Sequence, residues 1–105
     1  MHFTSYLQDS QLTVLLTGEI DHHCAKAYIS AINAKIEAYS PAVCVLDFSG
    51  VTFMDSSGIA VVINALRTMN ASGGTLTVSS PQKQVWKVFH ASGIGRLVNI
   101  KEEVS

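Results

Sequence analysis

The stretch Pro41-Ala42-Val43-Cys44-Val45-Leu46-Asp47-Phe48-Ser49-Gly50-Val51-Thr52-Phe53-Met54-Asp55-Ser56-Ser57-Gly58-Ile59 decides the fold. Pro41 restarts the chain, and Val43 to Leu46 is a near-continuous apolar run, as a central strand buried on both faces would be. Thr52 to Gly58 reads as a loop. A helix opens after Asp55, with Ile59, Val62, Ile63, Leu66 and Met69 along one face. Gly73-Gly74 ends that helix.

The pattern repeats on both sides of this unit. Upstream, Phe3 to Leu7 reads as an edge strand and Gln8 to Gln11 as a turn. Leu12 to Thr17 is a strand ending at Gly18. Asp21 is placed to cap a helix from about His22 to Tyr39, whose apolar face is Ala25, Ile29, Ile32 and Ile36. Downstream, Thr75 to Ser79 is a strand, and Ser80-Pro81 reads as the start of a third helix with Val85, Val88 and Phe89 facing inward. Gly93 is its stop, and Leu97 to Ile100 is a short last strand. Alternating strands and helices give an α/β fold: a mixed, largely parallel small sheet with helices packed against it. The first strand is expected to pair antiparallel with the second.

Such sheets build their sites beyond the carboxyl ends of the strands. Two loops leave that edge, Gly18 to Asp21 and Thr52 to Gly58. Neighbouring strands would bring Asp21 close to Ser56, although 35 positions separate them in sequence.

The chain has 105 residues, the size of one domain, and residues 1–105 are expected to form a single one. Apolar residues make up 48% and charged residues 14%, which excludes a disordered chain. The net charge of −1 lacks the basic excess that phosphate-backbone binding requires, so no nucleic acid partner is expected. The charge is uneven. Residues 1–55 hold Lys26 and Lys35 against Asp9, Glu19, Asp21, Glu37, Asp47 and Asp55, whereas residues 56–105 hold five basic groups against Glu102 and Glu103. No apolar run approaches the ~18 residues of a membrane span, and no basic head with an apolar block opens the chain. A cytoplasmic protein without direct membrane insertion is expected, with Cys24 and Cys44 as reduced thiols.

Asp55-Ser56-Ser57-Gly58 begins a helix in an unusual way. Asp and Ser favour the N-cap because their oxygens accept from free backbone N–H groups. A phosphate on such a serine would lie beside the positive end of the helix dipole and meet those donors. The same residues could equally be plain caps, and local pattern alone leans that way. A serine nucleophile is disfavoured: the hydrolase elbow G-x-S-x-G lacks its first Gly, no S-x-x-K is present, and nothing brings His22, His23 or His90 to Ser56. His22-His23-Cys24 makes a poor chelate because adjacent helical residues diverge, so no metal is expected. Asp47 and Asp55 suggest a phospho-accepting receiver domain, but the early acidic pair and the late lysine of that site are missing. No nucleotide-binding glycine loop occurs, and no cofactor is expected. Trp86 reads as partial core.

Leu16-Thr17-Gly18-Glu19-Ile20-Asp21-His22-His23, Phe53 to Ile59 and Ala91-Ser92-Gly93-Ile94 together resemble the STAS-domain anti-sigma factor antagonists of bacteria, over about residues 3–100. The resemblance implies a protein that is not an enzyme. Its unphosphorylated form would bind an anti-sigma factor that is also a GHKL-type serine kinase, and so free the sigma factor. By this match the kinase phosphorylates Ser56, a PP2C-type phosphatase reverses the step, and Asp21 contributes to kinase recognition. Glu19, Asp21, His22, His23, Asp55, Ser56, Ser57 and Gly58 would form the partner-binding edge of a protein that is a monomer when free. The alternative is a non-phosphorylated STAS accessory subunit of a membrane transport or signalling complex, with Ser56 as a cap. Two features depart from the family pattern: Ala60 replaces a frequent Gly, and the chain after Ile100 is short.

Overall fold

The computed structural model describes residues 2–101. Five strands, β1 (His2–Gln8), β2 (Gln11–Ile20), β3 (Val43–Met54), β4 (Thr75–Ser79) and β5 (Asn99–Lys101), form one sheet in sequence order. β1 runs antiparallel to β2, and every later neighbour is parallel. The crossovers are the helices α1 (Ala25–Tyr39), α2 (Ser57–Ala71) and α3 (Lys83–Ser92). The mixed, largely parallel sheet read from the sequence is therefore the observed one.

The core follows the pleat. Leu12, Val14 and Leu16 of β2, Cys44, Leu46 and Phe48 of β3, and Leu76 and Val78 of β4 are buried. The alternate residues Val43, Val45 and Asp47 are only half-buried, so β3 is not sealed on both faces as its apolar run suggests. Side chains two apart share a face, and the covered face is the one that the helices meet. Phe89 of α3 packs edge-to-face on Phe48, with ring centroids 5.2 Å apart. α1 contributes Ala25, Tyr28, Ile32 and Ile36 to the core, and α2 contributes Val61, Val62, Ala65 and Met69. Ile29 packs half-buried against this core, and Tyr28 joins it fully buried, its hydroxyl donating to the Thr17 carbonyl at 3.1 Å, which satisfies its polar end. Between the two helices the Asn33 amide donates to Asn64 Oδ1 at 2.6 Å, and the Thr68 hydroxyl donates to Asn33 Oδ1 at 2.8 Å.

β2 and β3 run further than expected. Gly18 does not end β2. It adopts φ +84°, a left-handed conformation open to glycine, and the strand continues to Ile20. The register shifts on either side of this point: Leu15 pairs with Asp47 but Thr17 with Gly50, and Gly18 with Val51 but Glu19 with Phe53. In each step β3 advances one residue more than β2, as in a bulge. The segment expected as a loop from Thr52 is thus strand up to Met54. β4, by contrast, pairs only with Val43 to Asp47. The far half of β3 has no strand beside it there.

Two helix starts also differ. α1 begins at Ala25 after a turn over residues 22–24, and α3 begins at Lys83 with Gln82 at its cap position. Ser80 is not a cap: it sits at φ +56° and its N–H donates to the Lys101 carbonyl at 2.7 Å. Gly93 does end α3, in a left-handed conformation. A 3₁₀ turn over Ile94–Arg96 follows and delays β5 to Asn99.

Cys44 is fully enclosed, and burial pushes its thiol from 9.0 up to about 12. The folded chain therefore holds this proton where the unfolded chain has lost it, and stability should fall as pH rises from about 9 towards 12. Iodoacetamide applied to the native protein should label half-buried Cys24 first, with Cys44 reacting only on unfolding. Mass spectrometry after a short pulse checks this order; equal labelling would show Cys44 to be accessible.

Candidate functional site: two turns at one sheet edge

The exits of β2 and β3 are tied together. Ile20 pairs with Met54, and the Asp55 N–H donates to the Ile20 carbonyl at 3.1 Å. The Asp21 turn and the Asp55-Ser56 turn therefore leave the sheet side by side, as the topology requires.

Asp21 holds its own turn and not the helix. Its Oδ1 accepts from the His23 N–H at 2.9 Å, and its carbonyl accepts from the N–H groups of Cys24 and Ala25. The Cys24 thiol points back to the Glu19 and Asp21 carbonyls. Burial by its surroundings raises the Asp21 pKa, but the His23 N–H, the Cys24 thiol and the His23 charge outweigh this and leave it below the ordinary value. Asp21 is thus a carboxylate at neutral pH. Glu19, His22 and His23 are exposed, and the two imidazole rings lie 4.0 Å apart. Among the described residues no group of three His, Cys, Asp or Glu side chains could hold a metal.

Asp55 is the group that caps α2. Its Oδ1 accepts from the Ser57 N–H at 2.8 Å, and its carbonyl accepts from the Gly58 N–H at 3.0 Å. Ser56 stands at the cap position in a right-handed helical conformation, exposed and making no side-chain capping bond. Its carbonyl takes the Ile59 N–H at 3.1 Å. The sequence expectation that a phosphate on Ser56 would meet free donors needs correction. The N–H groups of Ser57, Gly58 and Ile59 are already bonded, the first to the Asp55 carboxylate. A phosphate here would stand beside Asp55 and face outward. Ser57 is half-buried and Gly58 is buried against Met54. Asp47 makes no acidic pair with Asp55: β3 continues from one to the other, and Asp47 instead accepts from the Ser49 N–H at 2.8 Å.

Sequence reasoning expected α3 but missed its part in the site. Ser56 and Ile59 line an apolar groove of about 480 Å³ with Gln84, Lys87, Val88 and Ala91 of α3. Gln84 reaches Met54 with both ends of its amide: Nε2 donates to the Met54 carbonyl and Oε1 accepts from the Met54 N–H, each at 2.9 Å. Phe53, two residues before Asp55, is 41% exposed. Trp86 is half-buried and faces His90, not the turn.

This arrangement, five strands with a capped serine turn at the edge, defines a STAS domain: the family model of that description matches residues 3–105. The anti-sigma F factor antagonist of Lysinibacillus sphaericus is 32% identical over 96 residues, covering 90% of this chain and 82% of the relative. The anti-sigma factor antagonist SpoIIAA in its unphosphorylated form matches with a TM-score of 0.81 at 28% identity, over 94% of this chain and 87% of that one. The Bacillus cell fate determinant SpoIIAA in its phosphorylated form gives 0.71 at 27% identity, over 94% and 90%. The chain belongs to the STAS-domain anti-sigma factor antagonist family.

Proposed function

We propose that this chain works as one module that binds an anti-sigma factor when unphosphorylated, frees the sigma factor, and is released by phosphorylation of Ser56. The partner in this reading is itself a GHKL-type serine kinase. The γ-phosphoryl group of ATP passes to Ser56 Oγ, the hydroxyl proton is lost and ADP leaves. A PP2C-type phosphatase then hydrolyses the ester. The chain is the substrate and not the enzyme, and acts in the cytoplasm as a monomer.

One observation carries this reading. Ser56 is exposed, its hydroxyl is not used as a cap, and it stands on the edge shared with the Asp21 turn. A serine needed only for capping would be bonded to its helix; here Asp55 does that work. Relatives solved in both phosphorylated and unphosphorylated forms support the same reading. The added −1.5 to −2 charges would join Glu19, Asp21 and Asp55, turning an acidic docking edge strongly so. Among the described residues no helix is long and apolar enough to cross a membrane. The test is the intact mass of protein from its own host, with and without phosphatase, followed by site mapping. Phosphate on Ser56 supports the switch, and a chain never modified there points to the accessory-subunit reading.

Asp21→Asn separates recognition from folding. Asn retains the oxygen that accepts from His23 N–H, so the thermal midpoint should stay near wild type. The charge beside Ser56 is lost, so binding and phosphorylation by the kinase should weaken. An early melt, or phosphorylation at the wild-type rate, would make Asp21 a structural residue.

A further inference from the structure

β3 outruns β4 by seven residues, Phe48 to Met54, and the first turn of α3 covers this bare edge with glutamines. Gln82 Nε2 donates to the Ser49 carbonyl at 2.6 Å, and Gln84 both donates to and accepts from Met54. A primary amide that binds both the N–H and the carbonyl of one residue stands in for a strand neighbour. Met54 is the last residue before Asp55-Ser56. Its N–H and carbonyl are bound on one flank by Gln84, and the Asp55 N–H is bound on the other flank by Ile20. The Ser56 turn is thus held between β2 and α3.

We infer that Gln84 is the positioning residue that decides which serine of the turn is presented for phosphorylation. The inference rests on the phosphoswitch reading and adds to it a residue on a different element, 28 positions downstream. Ser56 and Ser57 are chemically alike, so the kinase must distinguish them by place. The Asp55 carboxylate ties down the Ser57 N–H, and Gln84 fixes the peptide from which Asp55 departs. Without Gln84 the Met54 N–H and carbonyl lose their partners, the strand end can shift, and the two hydroxyls can exchange places at the partner. Positioning errors of about 1 Å cost on the order of 100-fold in rate.

The test uses Gln84→Leu, which keeps bulk and removes both bonds, and Gln84→Glu, which keeps only the acceptor. Ile36→Val in α1 serves as a control for general loosening. With the cognate kinase and ATP, kcat for Gln84→Leu should fall on the order of 10- to 100-fold. KM should change little, because the acidic edge is intact, and phosphate should begin to reach Ser57. Gln84→Glu should lie between Leu and wild type, and Ile36→Val should keep both rate and site. Amide exchange gives a reading independent of the kinase: in Gln84→Leu the Met54 N–H should lose protection while those of Cys44 and Leu46 keep theirs. Wild type that takes phosphate at Ser56, with Gln84→Leu matching it in site and kcat, overturns this inference alone. Wild type that takes none overturns the phosphoswitch as well. Uniform loss of protection across the sheet in Gln84→Leu would make Gln84 a general stabiliser.

Discussion

Ser56→Ala is expected to bind the anti-sigma factor as wild type does and to take up no phosphate from it. The fold should not notice the change. Ser56 is exposed, makes no capping bond and has φ −63°, ψ −17°, a conformation alanine favours. The stability change should stay within about 0.5 kcal/mol, as for a surface substitution without a special role. This is less than the usual loss of a capping serine, because Asp55 has taken over the cap. Chemically the effect is complete, since no hydroxyl remains at the presented position. Ser57 should not substitute while its N–H is held by Asp55 and its side chain is half-buried. Binding would be measured for wild type, Ser56→Ala, Ser56→Asp and the phosphoprotein. Ser56→Asp should weaken binding only in part, carrying one charge on a shorter group. Phosphate reaching Ser57 at the wild-type rate in Ser56→Ala would move the switch to the wrong serine, and equal binding by wild type and phosphoprotein would abolish it.

What the sequence could reveal about this site follows from the range of each interaction. The strand at Cys44 and Leu46, the helix after Asp55 and the stop at Gly93 are local signals, and the structure has them. The parallel pairing of β2 with β3 followed from strand-helix alternation, and with it came the closeness of the two turns. The bulges did not. They depend on register between strands whose partners lie 32 to 34 positions apart, and Gly18 reads as a terminator because its left-handed turn has the same signature as a strand end. Asp21 looked like a helix cap because a short turn and a first helical turn begin with the same bond. Ser80-Pro81 looked like a helix start for a similar reason, and the N–H bond to Lys101 decided otherwise. Gln84 left no pattern at all. Its two bonds go to a backbone 30 residues away, and backbone atoms are the same in every sequence.

Gly58→Ala should destabilise the protein and disturb the Ser56 turn together. Helix propensity alone says the opposite, since Ala is favoured over Gly inside a helix by about 1 kcal/mol. The space decides. A Cβ at Gly58 would overlap Sδ and Cγ of Met54 and stand 3.1 Å from its Cε. Met54 is fully buried and its peptide is fixed by Gln84, so the side chain has little freedom to retreat. Overpacking of this kind costs about 1–3 kcal/mol. Set against the propensity gain, a net loss of roughly 1 kcal/mol is expected, which lowers the thermal midpoint by about 4–8 °C in a domain of this size. Phosphorylation at Ser56 should slow, because Met54 can yield only by moving the strand end that carries the turn. Met54→Ala supplies the control. Alone it should cost about 2–5 kcal/mol as a buried truncation. Combined with Gly58→Ala it removes the atoms in the way, so the double variant should lose clearly less than the two single losses together. Thermal and denaturant unfolding of the four proteins measures this coupling. Additive losses would mean that Met54 and Gly58 do not compete for the same space, and a raised midpoint in Gly58→Ala would mean that propensity outweighs the overlap.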